Sequence, residues 1–355
     1  MSWGTVGCAW VQAQPLPTVQ PVAVLPVTPP ATQPGVRSIP PTFTPVMPQV
    51  GVSESDAVAA VPTSIESVPL PPQTPQPTAN VVQVSPQFLQ NLPVSAFDFD
   101  LPPPAIDCSE HGLLFRSRFP SEVGGPWRDY HGYLPPCYGE DGRSYPTLYL
   151  FHGSIQNDTH WIDLGLIEHV EKGIREGRYP PFIMIMPDNG EIGNNTSGND
   201  HSIEGITVNA LIPYVDEQFC TWDDAAGRGI GGISRGGYWA LMIAFRHEAL
   251  FTAVSGHSSH LRYETDRAEY NPLSTYADAD LSNMRIWLDW GETDFLRTGQ
   301  MQLRDALQEI GADLEVHVND GGHNDAYWSV HLQEYIDWHV AQWPPSRRAY
   351  PPCRE

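Results

Sequence analysis

The chain has 355 residues, and its 42 acidic against 19 basic groups give a formal net charge of −23. That balance excludes nucleic acid as a main partner, because phosphate neutralisation needs a Lys/Arg surplus, and excludes polybasic docking on an anionic membrane. No uninterrupted apolar run approaches the length of a membrane-spanning helix, so no transmembrane span is expected.

The composition changes near residue 97. Residues 1–96 hold only four charged side chains, Arg37, Glu54, Asp56 and Glu66, amid Pro, Thr, Val and Gln. Proline removes backbone donors and fixes φ, so the stretch favours extended, solvated conformations and buries too little apolar surface to offset its ordering entropy. It is predicted to be a disordered Pro-rich tether, with a folded domain over residues 97–355. The alternative is that Val81 to Leu92 packs on that domain. Thr5-Val6-Gly7-Cys8 resembles the end of a bacterial lipoprotein signal, although only seven residues precede Cys8 and the basic and apolar parts of a signal are missing. A lipid anchor at Cys8 and an extracytoplasmic, secreted or surface-tethered location are therefore expectations, with a cytoplasmic location as the alternative. Cys108, Cys137, Cys220 and Cys353 are an even number able to form two bridges, or four ordinary buried thiols.

From Phe97 onward strands and helices alternate, the pattern of an α/β sandwich. Leu113 to Phe115 and Arg128 to Leu134 read as early strands. Thr147 to Phe151 and Phe182 to Met186 are short apolar runs, as buried central strands require. Ile167 to Ile174 carries a helical repeat. Ile206 to Phe219 reads as a helix kinked or started near Pro213. Arg228 to Ile233 is a glycine-rich strand followed by a helix from Tyr238 to His247. Later strands fall at Thr252 to Ser255, Met284 to Trp290 and Leu314 to Val318, and later helices at Met301 to Ile310 and Ala326 to Trp343.

The sharpest chemical signal is Gly232-Ile233-Ser234-Arg235-Gly236, placed between a strand and a helix. A strand-to-helix turn projects its Ser above the sheet, the glycines let the two elements approach, and the helix N-terminus aims free N–H groups at developing negative charge. The similar Gly256-His257-Ser258-Ser259-His260 lacks the last Gly. A nucleophilic Ser needs a base and the base needs an orienting acid. His323, after Gly321-Gly322 and the last strand, is the expected base. His331 falls inside a helix, and His257 and His260 precede every downstream acid loop. Two carboxylates compete for the acid: Asp289 within its strand and Asp294 in the loop beyond it. Asp294 is preferred because a loop residue past the strand end faces the His, and Glu292 is expected to be solvated. The oxyanion donors are expected to be the N–H groups of Arg235 and Ser154, with His152, Gly153 and Trp161 meeting substrate. The Arg235 guanidinium is expected to pair with a surface carboxylate rather than to meet an acidic substrate group. Trp287, Trp290, Tyr327 and Trp328 are candidates for an aromatic acyl pocket or for core. His257 and His260 are not expected to bind metal, and neither a phosphate-cradling loop nor a dinucleotide fingerprint is present, so no cofactor is expected.

Tyr133-Leu134-Pro135-Pro136 with Tyr138, Leu148 to Gly153, Leu211 to Asp216, Gly232 to Gly237, Gly291 to Asp294 and Gly322-His323 together resemble the esterase D-type α/β-hydrolases. That group includes enterochelin esterases, feruloyl esterases, S-formylglutathione hydrolases and mycolyltransferases. The resemblance covers about residues 110 to 343. It implies a three-layer sandwich with a mostly parallel eight-stranded sheet, and it implies Ser234, Asp294, His323 and the Arg235 and Ser154 amides in the roles above. One departure is Arg235, where many members have Met. The implied function is serine hydrolysis of a small or polymer-linked carboxylic ester through an acyl-enzyme. The alternatives are acyl transfer to a sugar or lipid alcohol, or a non-catalytic surface binding protein.

Overall fold

The computed structural model describes residues 82–83, 111–262 and 266–354. Nearly all of the predicted tether, and Cys8 with its expected anchor, lie outside the described residues. The exception is a two-residue strand, β1 (Val82–Gln83), which pairs in parallel with Phe115 and Arg116. Within the stretch from Val81 to Leu92, these two residues contribute backbone pairing at the sheet edge.

The other strands are β2 (Leu113–Pro120), β3 (Trp127–Leu134), β4 (Thr147–Phe151), β5 (Ile183–Pro187), β6 (Arg228–Ile233), β7 (Ala253–His257), β8 (Arg285–Gly291) and β9 (Asp313–Asn319). They form one sheet in the order β1-β2-β3-β5-β4-β6-β7-β8-β9. β3 runs antiparallel to β2 and β5, and every pair from β5 to β9 is parallel. β2 runs five residues past its predicted end because the antiparallel partner continues the ladder from Ser117–Tyr130 to Pro120–Trp127. Its alternation places Phe115, Ser117 and Phe119 inside while Arg118 stays exposed.

Period-2 alternation splits the central strands between two cores. Tyr149, Phe151, Ile183 and Ile185 face one cluster, and Leu148, Leu150, Met184 and Met186 face the other. The first cluster is covered by the Arg235–Arg246 helix, with Leu303 and Leu307 of the Arg297–Glu309 helix and Ile212 and Val215 of the Ile212–Gln218 helix. The second is covered by the Leu166–Arg175 and Asp325–Val340 helices. Helices therefore cover both faces, the predicted three-layer α/β sandwich. The helix expected from Ile206 to Phe219 is three pieces end to end: Ile203–Ile206, a π-helical turn at Thr207–Leu211, and Ile212–Gln218. Pro213 has no N–H to donate, so the ladder loses a bond there and the turn before it widens. Among the described residues no helix is long and apolar enough to cross a membrane.

Between the bridges and the free thiols that the sequence leaves open, the described cysteines form bridges. Cys220 and Cys353, 133 positions apart, are disulfide-bonded, and Cys137 is also in a disulfide.

Candidate active site

Ser234 stands between β6 and the Arg235–Arg246 helix with φ 57 and ψ −116. Positive φ is strained for a residue with a Cβ, and it persists here because the surroundings hold the turn from both sides. The Ser234 N–H donates to the His257 carbonyl at 2.8 Å, and the Ser234 carbonyl accepts from the N–H of Tyr238 and of His260. Gly236 is needed for contact distance: a Cβ there would lie 2.3 Å from the Phe151 carbonyl oxygen and 2.6 Å from that of His152. The elbow is thus pressed against the end of β4, the strand that feeds the Gly153-Ser154 loop.

The loop after β9 carries His323. Its Nε2 lies 2.9 Å from Ser234 Oγ. Its Nδ1 lies 3.1 Å from Asp294 Oδ2 and 3.2 Å from Oδ1. Asp294 is fully buried and is oriented by accepting from the Leu296 N–H at 2.7 Å. The two loops are tied together. Thr293 donates through its N–H and its hydroxyl to the Gly321 carbonyl, and Gly321 adopts φ 135, a backbone shape that favours glycine. Asn324 then caps the Asp325–Val340 helix by accepting from the Tyr327 N–H. The rings of Phe295 and Trp328 sit against the imidazole at 4.6 and 5.1 Å between centroids. A hydroxyl, an imidazole and a carboxylate therefore form one continuous chain, and an ionised carboxylate on Nδ1 leaves Nε2 free to accept the hydroxyl proton.

Asp289, the competing carboxylate, is fully buried beneath this chain. Its Oδ1 meets His257 Nδ1 at 2.5 Å and the Trp287 indole N–H at 2.8 Å, and its Oδ2 accepts from the hydroxyls of Tyr327 and Tyr335. Burial pushes the Asp289 carboxyl up, but His257 and these donors outweigh it and hold it below the ordinary value. Trp287, Trp290 and Tyr327 belong to the core. Trp328 is buried as well, and it lines a cavity beside His323.

The residues expected to meet substrate separate. Trp161 is a correction. It is buried in the core, with its indole N–H donating to the Phe151 carbonyl at 3.2 Å, so it braces the strand end from below. His152 is also buried. Its Nε2 accepts from the Asn189 N–H at 2.9 Å, which leaves Nδ1 to donate to the Gly153 carbonyl at 2.7 Å, so the ring fixes the loop. Asn194 supports the same loop by donating to the Ser154 carbonyl. Gly153 lies close enough to the elbow that a Cβ would be 3.5 Å from Ser234 Cβ. Arg235, as the first residue of its helix, has an N–H with no acceptor within that helix. Its guanidinium is buried on the Gly193 and Thr196 carbonyls and on Asp266, and it stacks over Tyr238.

One cavity is lined by Ser234, and a second shares Ser154 and His260 with it. The larger, about 450 Å3, is lined by Ser234, His323, Phe295, Trp328, Ile155 and Gln156. The smaller, about 310 Å3, is lined by Asn194, Thr196, Ser197, Arg235 and Asp266. Ser154 and His260 line both. Burial, with the nearby Arg235 charge, lowers the His260 pKa and favours its neutral form. Phe295, His260 and Asp266 were not singled out in sequence as substrate-facing. The first follows directly on Asp294, a signal that was available, while the other two reach the site only through the fold.

A family model described as "Putative esterase" matches residues 128–338. Esterase Rv1288 of Mycobacterium tuberculosis is 34% identical over 131 residues, 35% of this chain and 27% of its own length. The endo-1,4-beta-xylanase/feruloyl esterase of Xylanibacter ruminicola is 33% identical over 155 residues, 40% of this chain and 21% of its own length. The chain thus spans about a quarter of the length of these relatives. A solved ferulic acid esterase superposes with a TM-score of 0.60 at 22% identity, covering 66% of this chain and 99% of that one. It shares the α/β-hydrolase fold.

Proposed function

The chain belongs to the Esterase family, and from that premise we propose that it hydrolyses carboxylic esters through an acyl-enzyme formed on Ser234. The observation that carries the reading is the unbroken contact from Ser234 Oγ through His323 to Asp294, beside an open cavity.

His323 Nε2 takes the Ser234 proton as Oγ bonds to the ester carbonyl carbon. The carbonyl π electrons move to oxygen, and the resulting oxyanion is met by the N–H groups of Arg235 and Ser154. Asp294 holds the ring and stabilises the imidazolium that forms. The imidazolium then gives its proton to the alkoxy oxygen as the C–O bond breaks, and the alcohol leaves. Water repeats the sequence: His323 removes its proton, the hydroxyl adds to the acyl carbon, and collapse returns the proton to Ser234 Oγ and frees the acid.

The rigid supports favour this reading. A strained Ser, a fully buried acid and a loop braced by His152 are preorganised, so little of the barrier goes into aligning them. The Cys220–Cys353 bridge supports an oxidising, extracytoplasmic location for the domain.

The test is p-nitrophenyl acetate turnover and fluorophosphonate labelling of the purified protein. Ser234→Ala is expected to lose labelling and to lower kcat by about 10^4-fold or more while keeping the native circular dichroism spectrum. Full turnover by a folded Ser234→Ala would refute the assignment.

A further inference from the structure

Two large apolar side chains stand in water where the chemistry takes place. Ile155, in the loop after β4, is 93% exposed, and Phe295, in the loop after β8, is 66% exposed. They are two of the three most exposed large apolar side chains among the described residues. Both line the cavity that Ser234 and His323 line, together with the buried Leu296 and Trp328. Apolar surface thus reaches the cavity both from the loop that carries the Ser154 amide and from the loop that carries Asp294. A lone exposed apolar residue needs no explanation, whereas a pair in one cavity with a nucleophile and its base marks a place where ligand is covered.

The reaction places substrate against this surface. Ser234 Oγ must bond to the carbonyl carbon, and His323 Nε2, 2.9 Å from that oxygen, must protonate the alkoxy oxygen. Both atoms of the ester therefore enter this cavity, and the groups attached to them start in it. The Phe295 ring lies 4.6 Å from the imidazole between centroids, next to the point where those groups begin. At about 450 Å3 the cavity has the size of a small-molecule site. An acetyl or methyl group covers little of Ile155 and Phe295, whereas a chain or ring that runs over them removes apolar surface from water on both partners.

Building on the acyl-enzyme reading, we infer that the larger cavity is a subsite for an extended apolar group of the ester, an alkyl chain or an aromatic ring, and that Ile155 and Phe295 are its specificity-determining residues.

The test uses two series of esters on the full chain. One holds the alcohol fixed and compares p-nitrophenyl acetate with the hexanoate and the 3-phenylpropionate. The other holds the acyl group fixed and compares methyl acetate with hexyl and 2-phenylethyl acetate. Each kcat/KM is divided by the hydroxide rate constant of the same ester, which removes intrinsic reactivity. Burying one methylene is worth about fourfold, so the longer groups are expected to gain about tenfold or more in at least one series. The series that gains identifies which half of the ester fills the cavity. Ile155→Ser and Phe295→Ser are each expected to cut that gain by about threefold or more, and the double variant by more than either. The ratio is the readout because Ser154 and His323 adjoin the two positions, and a general rate change cancels from it. No gain in either series, or an unchanged gain in the folded double variant, would overturn the inference. So would a wild-type dimer in sedimentation that the double variant converts to monomer without altering the gain, since the surface would then be covered by a second copy. Both side chains are exposed, so the core stays intact, and each single variant carries the same test should the double variant not fold. Absence of turnover on every ester would instead refute the catalytic reading, whereas turnover without a gain refutes only the subsite.

Discussion

Asp289 and Asp294 close one strand and its following loop, yet they hold different imidazoles: Asp289 meets His257 Nδ1 at 2.5 Å, and Asp294 meets His323 Nδ1 at 3.1 Å. The first pair is wholly buried and joins β7, β8 and the Asp325–Val340 helix, whereas the second lies against Ser234. Their substitutions are expected to separate stability from rate. Asp294→Asn offers Nδ1 a donor or acceptor in place of an anion, so kcat on p-nitrophenyl acetate should fall by about 10^3- to 10^4-fold, with thermal stability nearly kept. Asp289→Asn leaves His257 and three donors around a neutral group, and should cost about 3–5 kcal/mol of unfolding free energy. A large kcat loss in folded Asp289→Asn with little loss in Asp294→Asn would reverse the two roles.

Gly236 joins the elbow to the strand beside it. Alanine would set a Cβ 2.3 Å from the Phe151 carbonyl oxygen, and backbone cannot swing aside as a side-chain tip can. The end of β4 must move, and the Ser154 amide moves with it. Gly236→Ala is expected to destabilise the protein by about 1–3 kcal/mol and to lower kcat by about tenfold to a hundredfold without a matching rise in KM. A kcat equal to wild type would show that the Phe151–Ser154 backbone does not set the oxyanion site.

The fold and the three-residue chain were legible because their physical requirements are local. A buried parallel strand must be an apolar run, as Leu148 to Phe151 and Ile183 to Met186 are, and a tight strand-to-helix turn must carry small residues around its Ser. Order along the chain then ranked His323, a loop position past the strand end ranked Asp294 above Asp289, and the structure brings both into hydrogen-bond contact with the expected partners. What was misread or missed depends on long-range partners. Trp161 follows the Gly153 loop closely in sequence, but its N–H finds the Phe151 carbonyl below the sheet edge, a backbone acceptor that residue types do not reveal. Arg235 was expected to pair with a carboxylate, but that carboxylate lies 31 positions away in a loop without periodicity. Its burial, which turns the pair from a surface contact into a wall of the cleft, follows only from the packing of the Gly193–Ser197 segment against it.

The Cys220–Cys353 bridge ties the chain's C-terminal segment to the end of the Ile212–Gln218 helix region. The same segment is held by Arg347 on Asp141 and by the Ser144 N–H on the Pro351 carbonyl. Closing a separation of 133 residues restricts the unfolded chain strongly, so the double variant Cys220→Ser, Cys353→Ser is expected to lose about 4 kcal/mol of stability in urea titration. None of these residues lines either cavity. The kcat/KM of the folded variant at room temperature should therefore match wild type, and a selective loss of turnover would mean that the C-terminal segment positions the site.

Glu204 predicts how the protein responds to acid. Burial pushes its carboxyl up, but His247, the Asn199 N–H at 2.6 Å and Arg246 at 2.7 Å outweigh this and bring it from the ordinary 4.5 to about 2. A pKa depressed in the folded state contributes stability that is fully present above about pH 4.5 and is lost as pH falls toward 2. Allowing for solvent screening at Arg246 and His247, whose side chains are 32% and 31% exposed, the contribution is about 2 kcal/mol. Glu204→Gln is therefore expected to lower unfolding free energy by about that amount at neutral pH and by progressively less between pH 4 and pH 2, where the two proteins converge. The same pH slope in both proteins, measured by urea unfolding, would show that Glu204 titrates normally and that acid sensitivity resides elsewhere.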